Sequence, residues 1–365
     1  MVQCLQYHGS IKWTRLESVA TNGPAAVQDI SVALSFSIPA KPLHRPFMSR
    51  CYAVKIKLWG VHRPARVSEG IRWLSELVLP SVAAAAAFHQ EPSASHDAFV
   101  LLDGAYSSYR ADMRLGAAAL RWPSGGVHVF RSDVAAAAGM RQLLLERRRC
   151  EWITFVRLDA DDMLTQAAFR LIERSAPTLP RGDVMLHGAH RVDRVTIYNE
   201  SGRSADAGGG ARGGLRCAWD DGGGSFQLSQ GQSVSLQASL WRALGAPYEV
   251  HGHHVHLTEI WQQRLLPLNK QLRRETPPQL PHQVRTATFD GAALYLKTFL
   301  SGSFVNEKLA RGKQPQGVLR RAAAGCDRAQ VGARVGAANA ALLWRVRPPA
   351  LTEADARQVT VLMGR

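Results

Sequence analysis

No CxxC pair, no Walker A loop and no long apolar run occurs in this 365-residue chain. Each absence removes a class. A spanning helix needs about 18 consecutive apolar residues, and the best run, Val82–Phe88, is too short and too weakly apolar. The N-terminus has no basic segment followed by a clean apolar core, so no secretory signal is expected. The five Cys, at 4, 51, 150, 217 and 326, are scattered and odd in number. That spacing predicts neither a disulfide framework nor a zinc cluster, and a reducing, cytoplasmic setting is the simpler expectation. The missing Walker A loop argues against kinases and sulfotransferases. No RNP-like, zinc-finger or basic-zipper pattern is present, so no specific nucleic-acid partner is expected.

Lysine is also scarce: only eight of 45 basic residues are Lys. The chain is strongly basic all the same, with a net charge of +16 and a pI of about 10.3. Two readings of the Arg excess stay open, codon bias on a solvated surface or attraction to anions such as sugar nucleotides and acidic glycans. Hydrophobic residues make up 46% of the chain, enough for a full-sized core of one large or two medium domains.

Along the chain, residues 1–50 are mixed and poorly periodic, a leader with a candidate strand at 31–38. From residue 51 strands and helices alternate. Tyr52–Leu58, Ala98–Asp103, Val127–Phe130 and Trp152–Leu158 read as strands. Residues 66–88, 109–120, 135–149 and 164–174 read as helices, with Pro80 at an end or kink of the first. This alternation predicts a parallel, doubly wound α/β sheet, whose ligands gather beyond the carboxyl ends of the strands. Val184–His187 and Val195–Tyr198 read as further strands, and the Gly-rich stretch 202–224 as a flexible insertion. The 306–365 tail is Ala/Arg-rich and basic, expected to be weakly ordered with one helix.

The chemistry concentrates where the strand Trp152–Leu158 runs into Asp159-Ala160-Asp161-Asp162. A sugar diphosphate carries adjacent negative charges that grow as it leaves. A divalent cation held by carboxylates at a rigid strand end offsets them. In an extended turn Asp159 and Asp161 project to one side and can face one ion. Asp162 is read as a further ligand or as the N-cap of the next helix. The pattern does not fit the DxDxT/V of haloacid-dehalogenase-type phosphatases, because Met163 follows Asp162.

The stretch Arg157-Leu158-Asp159-Ala160-Asp161-Asp162-Met163-Leu164 resembles the R-L-D-x-D-D-x-L signature of the rhamnosyltransferase-like proteins, a group of GT-A-type glycosyltransferases. Leu79-Pro80-Ser81-Val82, the strand Ala98–Asp103, Gln230-Gly231-Gln232-Ser233-Val234 and His253-His254-Val255-His256 are similar to further family segments in the same order. The likeness covers roughly residues 50–300. It departs at Ala83, where the family carries Gln, in the Gly-rich stretch and in the tail. The resemblance implies a GT-A-like, single-sheet nucleotide-sugar-binding domain over 51–305, with a mostly parallel sheet flanked by helices. It implies a nucleotide-sugar donor, a glycan or other hydroxyl acceptor, and Mn²⁺ or Mg²⁺ at the acidic run. It also implies that His254 or His256 completes the metal shell.

Other candidates follow from position. Asp103, beyond an early strand, is either a nucleotide ligand or a simple Asp-Gly turn. Asp133 is a weaker nucleotide contact. Arg157 either neutralises phosphate or pairs with an aspartate in the sheet. An inverting transfer needs a carboxylate base near the acceptor hydroxyl, for which Glu259 and Asp193 are the candidates. Trp219 and Trp241 are either core residues or an acceptor platform.

Overall fold

The computed structural model describes residues 50–58, 70–102, 124–175, 182–200, 215–227, 233–245, 257–289, 293–299 and 324–345, with a few isolated positions besides. Candidates Asp103, His254 and His256 fall outside them, as do residues 1–49 and 109–120.

Strand β1 (Arg50–Leu58) lies at the centre, flanked in parallel by β2 (Ala94–Leu102) and β4 (Trp152–Asp159). β3 (Gly125–Phe130) extends this parallel side beyond β2. On the other side the sheet turns mixed. β8 (Ser233–Gln237) runs antiparallel to β4, β6 (Val184–Glu200) antiparallel to β8, and β7 (Leu215–Gln227) antiparallel to β6. The order β11-β7-β6-β8-β4-β1-β2-β3 ends at β11 (Ala324–Cys326). Short strands β5 (Met163–Leu164), β9 (Val284–Phe289), β10 (Tyr295–Phe299) and β12 (Ala350–Leu351) branch from it. The sheet is thus mixed. In place of the mostly parallel sheet expected, β4-β1-β2-β3 is parallel and β9, β10 and β12 lie parallel to β6, while the β4-β8, β8-β6, β6-β7, β7-β11 and β5-β10 pairings are antiparallel.

The apolar alternation of β1 and β4 makes two buried faces. Tyr52, Val54, Ile56, Val156 and Leu158 pack beneath α1 (Gly70–His89) and α3 (Ala168–Ser175). Cys51, Ala53, Phe99, Ile153 and Phe155 pack against α2, α4 and α5. Here α2 is Asp133–Arg141 continuing through the wider turns Gln142–Arg147, α4 is Ala238–Ala243 and α5 is Leu257–Leu272. Trp241 and Trp261 are fully enclosed on that second face, and Trp219 is buried too. Among the described residues the core reading of Trp219 and Trp241 therefore holds over the platform reading.

Helix α1 is 20 residues long and apolar enough to cross a membrane by length and composition, although no uninterrupted apolar run announces it. Its apolar side is spent on the sheet. Pro80 does not end the helix. The chain widens into a π turn at Leu74–Val78, where the Leu79 amide reaches back to the Leu74 carbonyl. Such a bulge absorbs the bond that Pro80 cannot donate.

Two expectations about the later chain need correction. Gly222–Gly224 are not loop: they extend β7, paired with β6 from Leu215 through Gly223. The pairing satisfies backbone groups whatever the side chains, which composition does not reveal. Within the tail, α6 (Arg328–Val335) and α7 (Ala337–Leu343) bury Val331, Val335 and Leu343 against Met163 and Trp219.

The cysteine reading is overturned as well. Cys51 pairs with Cys150 and Cys217 with Cys326, across 99 and 109 residues of sequence. Neighbouring strands bring them together, and linear spacing carries no record of that. A bridge closing a loop of this size is expected to contribute about 2–5 kcal/mol. Replacing Cys51 and Cys150 together by Ala should lower the urea-unfolding free energy by that amount, and an unchanged value would show the pairing to be energetically idle.

At the amino ends of the strands two His are enclosed. His187 Nδ1 meets Ser175 Oγ at 2.7 Å and its Nε2 meets Ser235 Oγ at 2.7 Å. His96 Nδ1 meets Ser124 Oγ at 2.8 Å. Burial pushes both imidazoles down to about 3, so they fold neutral. The unfolded chain takes up these protons near pH 6.5, and their contribution to stability is lost as pH falls from there toward about 3. His187→Gln should therefore flatten the pH dependence of stability between pH 6.5 and 5 relative to the parent chain. Parallel curves would contradict the neutral, buried assignment.

Candidate functional site

The acidic run does sit at the carboxyl end of β4. It closes a tight turn, with the Asp162 amide on the Asp159 carbonyl at 3.1 Å. Residues 163–164, expected to open a helix, instead form β5, and α3 begins only at Ala168. Asp162 thus caps no helix. Its side chain is turned inward, with Oδ1 accepting from the Thr298 amide at 3.4 Å and Oδ2 buried without a partner. The Thr298 hydroxyl donates to the Asp161 carbonyl.

This turn is gripped from three directions. β5 pairs with β10, Leu296 opposite Met163. Ser81 of α1 accepts from the Leu164 amide at 3.2 Å. From the tail, Asn339 Nδ2 donates to the Leu164 carbonyl at 2.6 Å, and the Gln166 amide donates to the Val335 carbonyl at 3.0 Å. The grip matters because three carboxylates stand within four residues. Burial and the neighbouring Asp159 push the Asp161 carboxyl up to about 6. Burial and Asp161 push Asp162 well above the carboxylate range. Lys297 of β10 counters both shifts.

The second half of the site is cationic, and sequence reasoning missed most of it. Lys55 and Lys57 lie in register with Arg157 and Asp159 on the adjacent strand. By strand alternation all four share the face that Ala53 and Phe155 bury against α2. Lys57 Nζ meets Asp133 Oδ2 at 2.9 Å, and Lys55 Nζ lies 3.9 Å from Asp133 Oδ1. Asp133 is the first residue of α2, behind the Ser132 N-cap. Arg157 reaches Asp159 Oδ1 at 3.6 Å, so its pairing reading is realised in this structure. Lys55 is only 5% exposed, and a charge is rarely sunk that far without a role. The signal was there: two of eight lysines alternate in one strand beside the acidic strand.

Of the candidates, Asp133, Arg157, Asp159 and Asp161 are gathered at one end of the sheet. Asp162 belongs to the turn's interior. Glu259 is exposed in the first turn of α5, a helix packed over the same face. Asp193 is buried in β6, beside Leu296 of β10 and one strand from Met163. Among the described residues no three His, Cys, Asp or Glu side chains form a group able to hold a metal ion. Mg²⁺ and Mn²⁺ do not require one. They are commonly held by one or two carboxylates, with substrate phosphates and water filling the rest. Asp159 and Asp161, crowded together at the strand end, fit that pattern.

No family model matches the chain, and no curated protein matches it. Solved structures give distant likenesses. The inositol-1-phosphate CTP transferase from T. maritima is 8% identical, with 69% of this chain and 90% of that one covered at a TM-score of 0.32. A nucleoside-diphosphate-sugar pyrophosphorylase from Vibrio cholerae is 11% identical, covering 65% and 92% at 0.30. Mouse xyloside xylosyltransferase 1 is 15% identical, covering 60% and 75% at 0.26. At such scores a likeness transfers neither fold nor chemistry, and the functional reading rests on the geometry.

Thr298→Val removes the hydroxyl that ties β10 to the Asp161 carbonyl. It should cost about 1 kcal/mol of stability, read by urea unfolding. A larger cost than that of a matched Thr→Val change elsewhere on the sheet would mean that the whole turn is released.

Proposed function

We propose that the chain is a glycosyltransferase that moves a sugar from a nucleotide-sugar donor to a hydroxyl acceptor, assisted by a divalent cation. The observation that carries this reading is the pairing of acid with base at the strand ends. Asp159 and Asp161 offer carboxylates to a cation, and Lys55, Lys57 and Arg157 stand beside them on the same end of the sheet. A diphosphate leaving group needs both. The resemblance around the acidic run favours a deoxyhexose such as rhamnose as the sugar.

In this proposal Asp159 and Asp161 hold Mn²⁺ or Mg²⁺. The cation, when bound, neutralises the diphosphate and polarises its departing oxygen. Lys57 and Arg157 exchange their present carboxylate partners for phosphate oxygens, a trade between charge-assisted bonds of similar strength. The bond from the anomeric carbon to the phosphate oxygen breaks and a bond to the acceptor oxygen forms. The acceptor proton passes to a carboxylate base, a role for which Glu259 is the candidate. His254 and His256 remain proposed metal ligands from the sequence resemblance, and Asp103 a proposed nucleotide ligand from its position beyond an early strand. A cytoplasmic location loses the part of its support that came from unpaired cysteines, because disulfides persist chiefly in oxidising compartments.

Thermal melting with a panel of nucleoside diphosphates tests the proposal, since a ligand of the folded state raises the melting temperature by mass action. One nucleoside diphosphate should raise it with Mn²⁺ and not without. Asp161→Asn should remove the Mn²⁺-dependent part while the ligand-free melting temperature stays at or above the parent value, because repulsion in the turn is relieved. A full shift in the variant would take Asp161 out of the site.

A further inference from the structure

The opposite end of β4 carries a feature that the proposed transfer does not use. A cavity of about 610 Å³ opens there, lined by Leu145, Arg149, Cys150, Gln237, Ser239 and Arg242, with Glu151 and Ala238 completing the wall. β4 separates it from the acidic turn by its full eight residues, roughly 25 Å of strand. The volume is that of a small-molecule site.

The chemistry of the lining is selective. The floor is apolar, made of Leu145, Ala238 and the buried half-cystine Cys150. Two guanidinium groups stand at its walls. Two neighbouring basic residues are already engaged, Arg148 on Asp97 at 2.8 Å and Arg141 on the Gly245 carbonyl at 2.9 Å. Arg149 and Arg242 are exposed, and among the described residues neither side chain makes an ion pair or hydrogen bond. Gln237 and Ser239 add neutral donors. Glu151, exposed at the wall, sets a limit on the negative charge accepted and weighs against a long polyanion.

The walls are also fixed. The Cys150 amide bonds the Leu144 carbonyl at 3.0 Å, the Arg148 amide bonds Leu143 at 2.9 Å, and the Ala238 amide bonds Glu151 at 2.9 Å. Between these anchors Arg149 is held at φ 51°, a left-handed conformation that non-glycine residues seldom adopt. Such backbone is retained where the surroundings over-determine it. The Cys51–Cys150 bridge ties the same corner to β1.

We propose that this cavity binds a small organic anion, one phosphate or comparable oxyanion head on an apolar body, with Arg149 and Arg242 as the head's ligands. Planar guanidinium forks match such oxyanions in pairs of hydrogen bonds. The apolar floor takes the body. The site is independent of the nucleotide-sugar reading and needs no metal.

The test is isothermal titration of the full chain with phenyl phosphate and with inorganic phosphate, without added metal. Phenyl phosphate should bind, and more tightly than inorganic phosphate. Arg149→Gln/Arg242→Gln should weaken it by about tenfold or more, the scale of two lost charge-assisted bonds, while Asp161→Asn leaves it unchanged. Ser239→Glu, a surface change with little folding risk, should abolish binding by placing a carboxylate in the cavity. No binding to the parent chain overturns the proposal. So does equal affinity for the two phosphates, or undiminished binding in the double variant.

Discussion

Three carboxylates within four residues repel one another, and contacts from β10, α1 and α7 hold them and the residues that follow them together. A turn of that composition is self-repelling, and here it is also sunk into protein, which raises the cost of charge further. The fold meets the cost by restraint rather than by dilution. β10 pairs against β5, Thr298 binds two of the three aspartates, and Ser81 and Asn339 hold the next residue, Leu164, from opposite sides. The remaining imbalance shows as proton affinity, with Asp161 drawn up to about 6.

The rest of the sheet sorts charge by height. Cations gather on β1 and β4 where their strands end, with Lys55, Lys57 and Arg157 in adjacent register beside Asp159. At the amino ends two imidazoles are neutral and enclosed, His187 between two hydroxyls and His96 against Ser124, near the buried Arg148–Asp97 pair. Ligand chemistry at carboxyl ends is a common property of α/β sheets. The acidic turn and its neighbouring cations lie at that end here, although the β8-β6-β7 side of the sheet is antiparallel.

The sequence made the central strand legible because β4 is a near-continuous apolar run that stops at charge. β1, β2, β3 and α2 were legible for similar reasons of period and boundary. What escaped shares one physical cause, dependence on partners remote in sequence. β5 has two residues and exists only because β10 pairs with it. Gly222–Gly224 became strand because β6 is long enough to pair with them. The cysteine pairs span about a hundred residues each. Lys55 and Lys57 are simply the polar positions of an alternating strand in the sequence, and only the packing of α2 over that face gives them a place in the site. Asp162 reads from the sequence as a further metal ligand or as a cap; Thr298, 136 residues on, engages its carboxylate inside the turn instead.

Manganese resonance reports the central claim most directly, because free Mn²⁺ gives a sharp six-line spectrum that broadens when the ion is immobilised. The account predicts weak retention of Mn²⁺ by the protein alone and strong retention once the matching nucleoside diphosphate is added, since the two carboxylates supply only part of the shell. Retention that no nucleoside diphosphate increases would contradict it, and would mean that the acidic turn of Asp159, Asp161 and Asp162 is held together for structure alone.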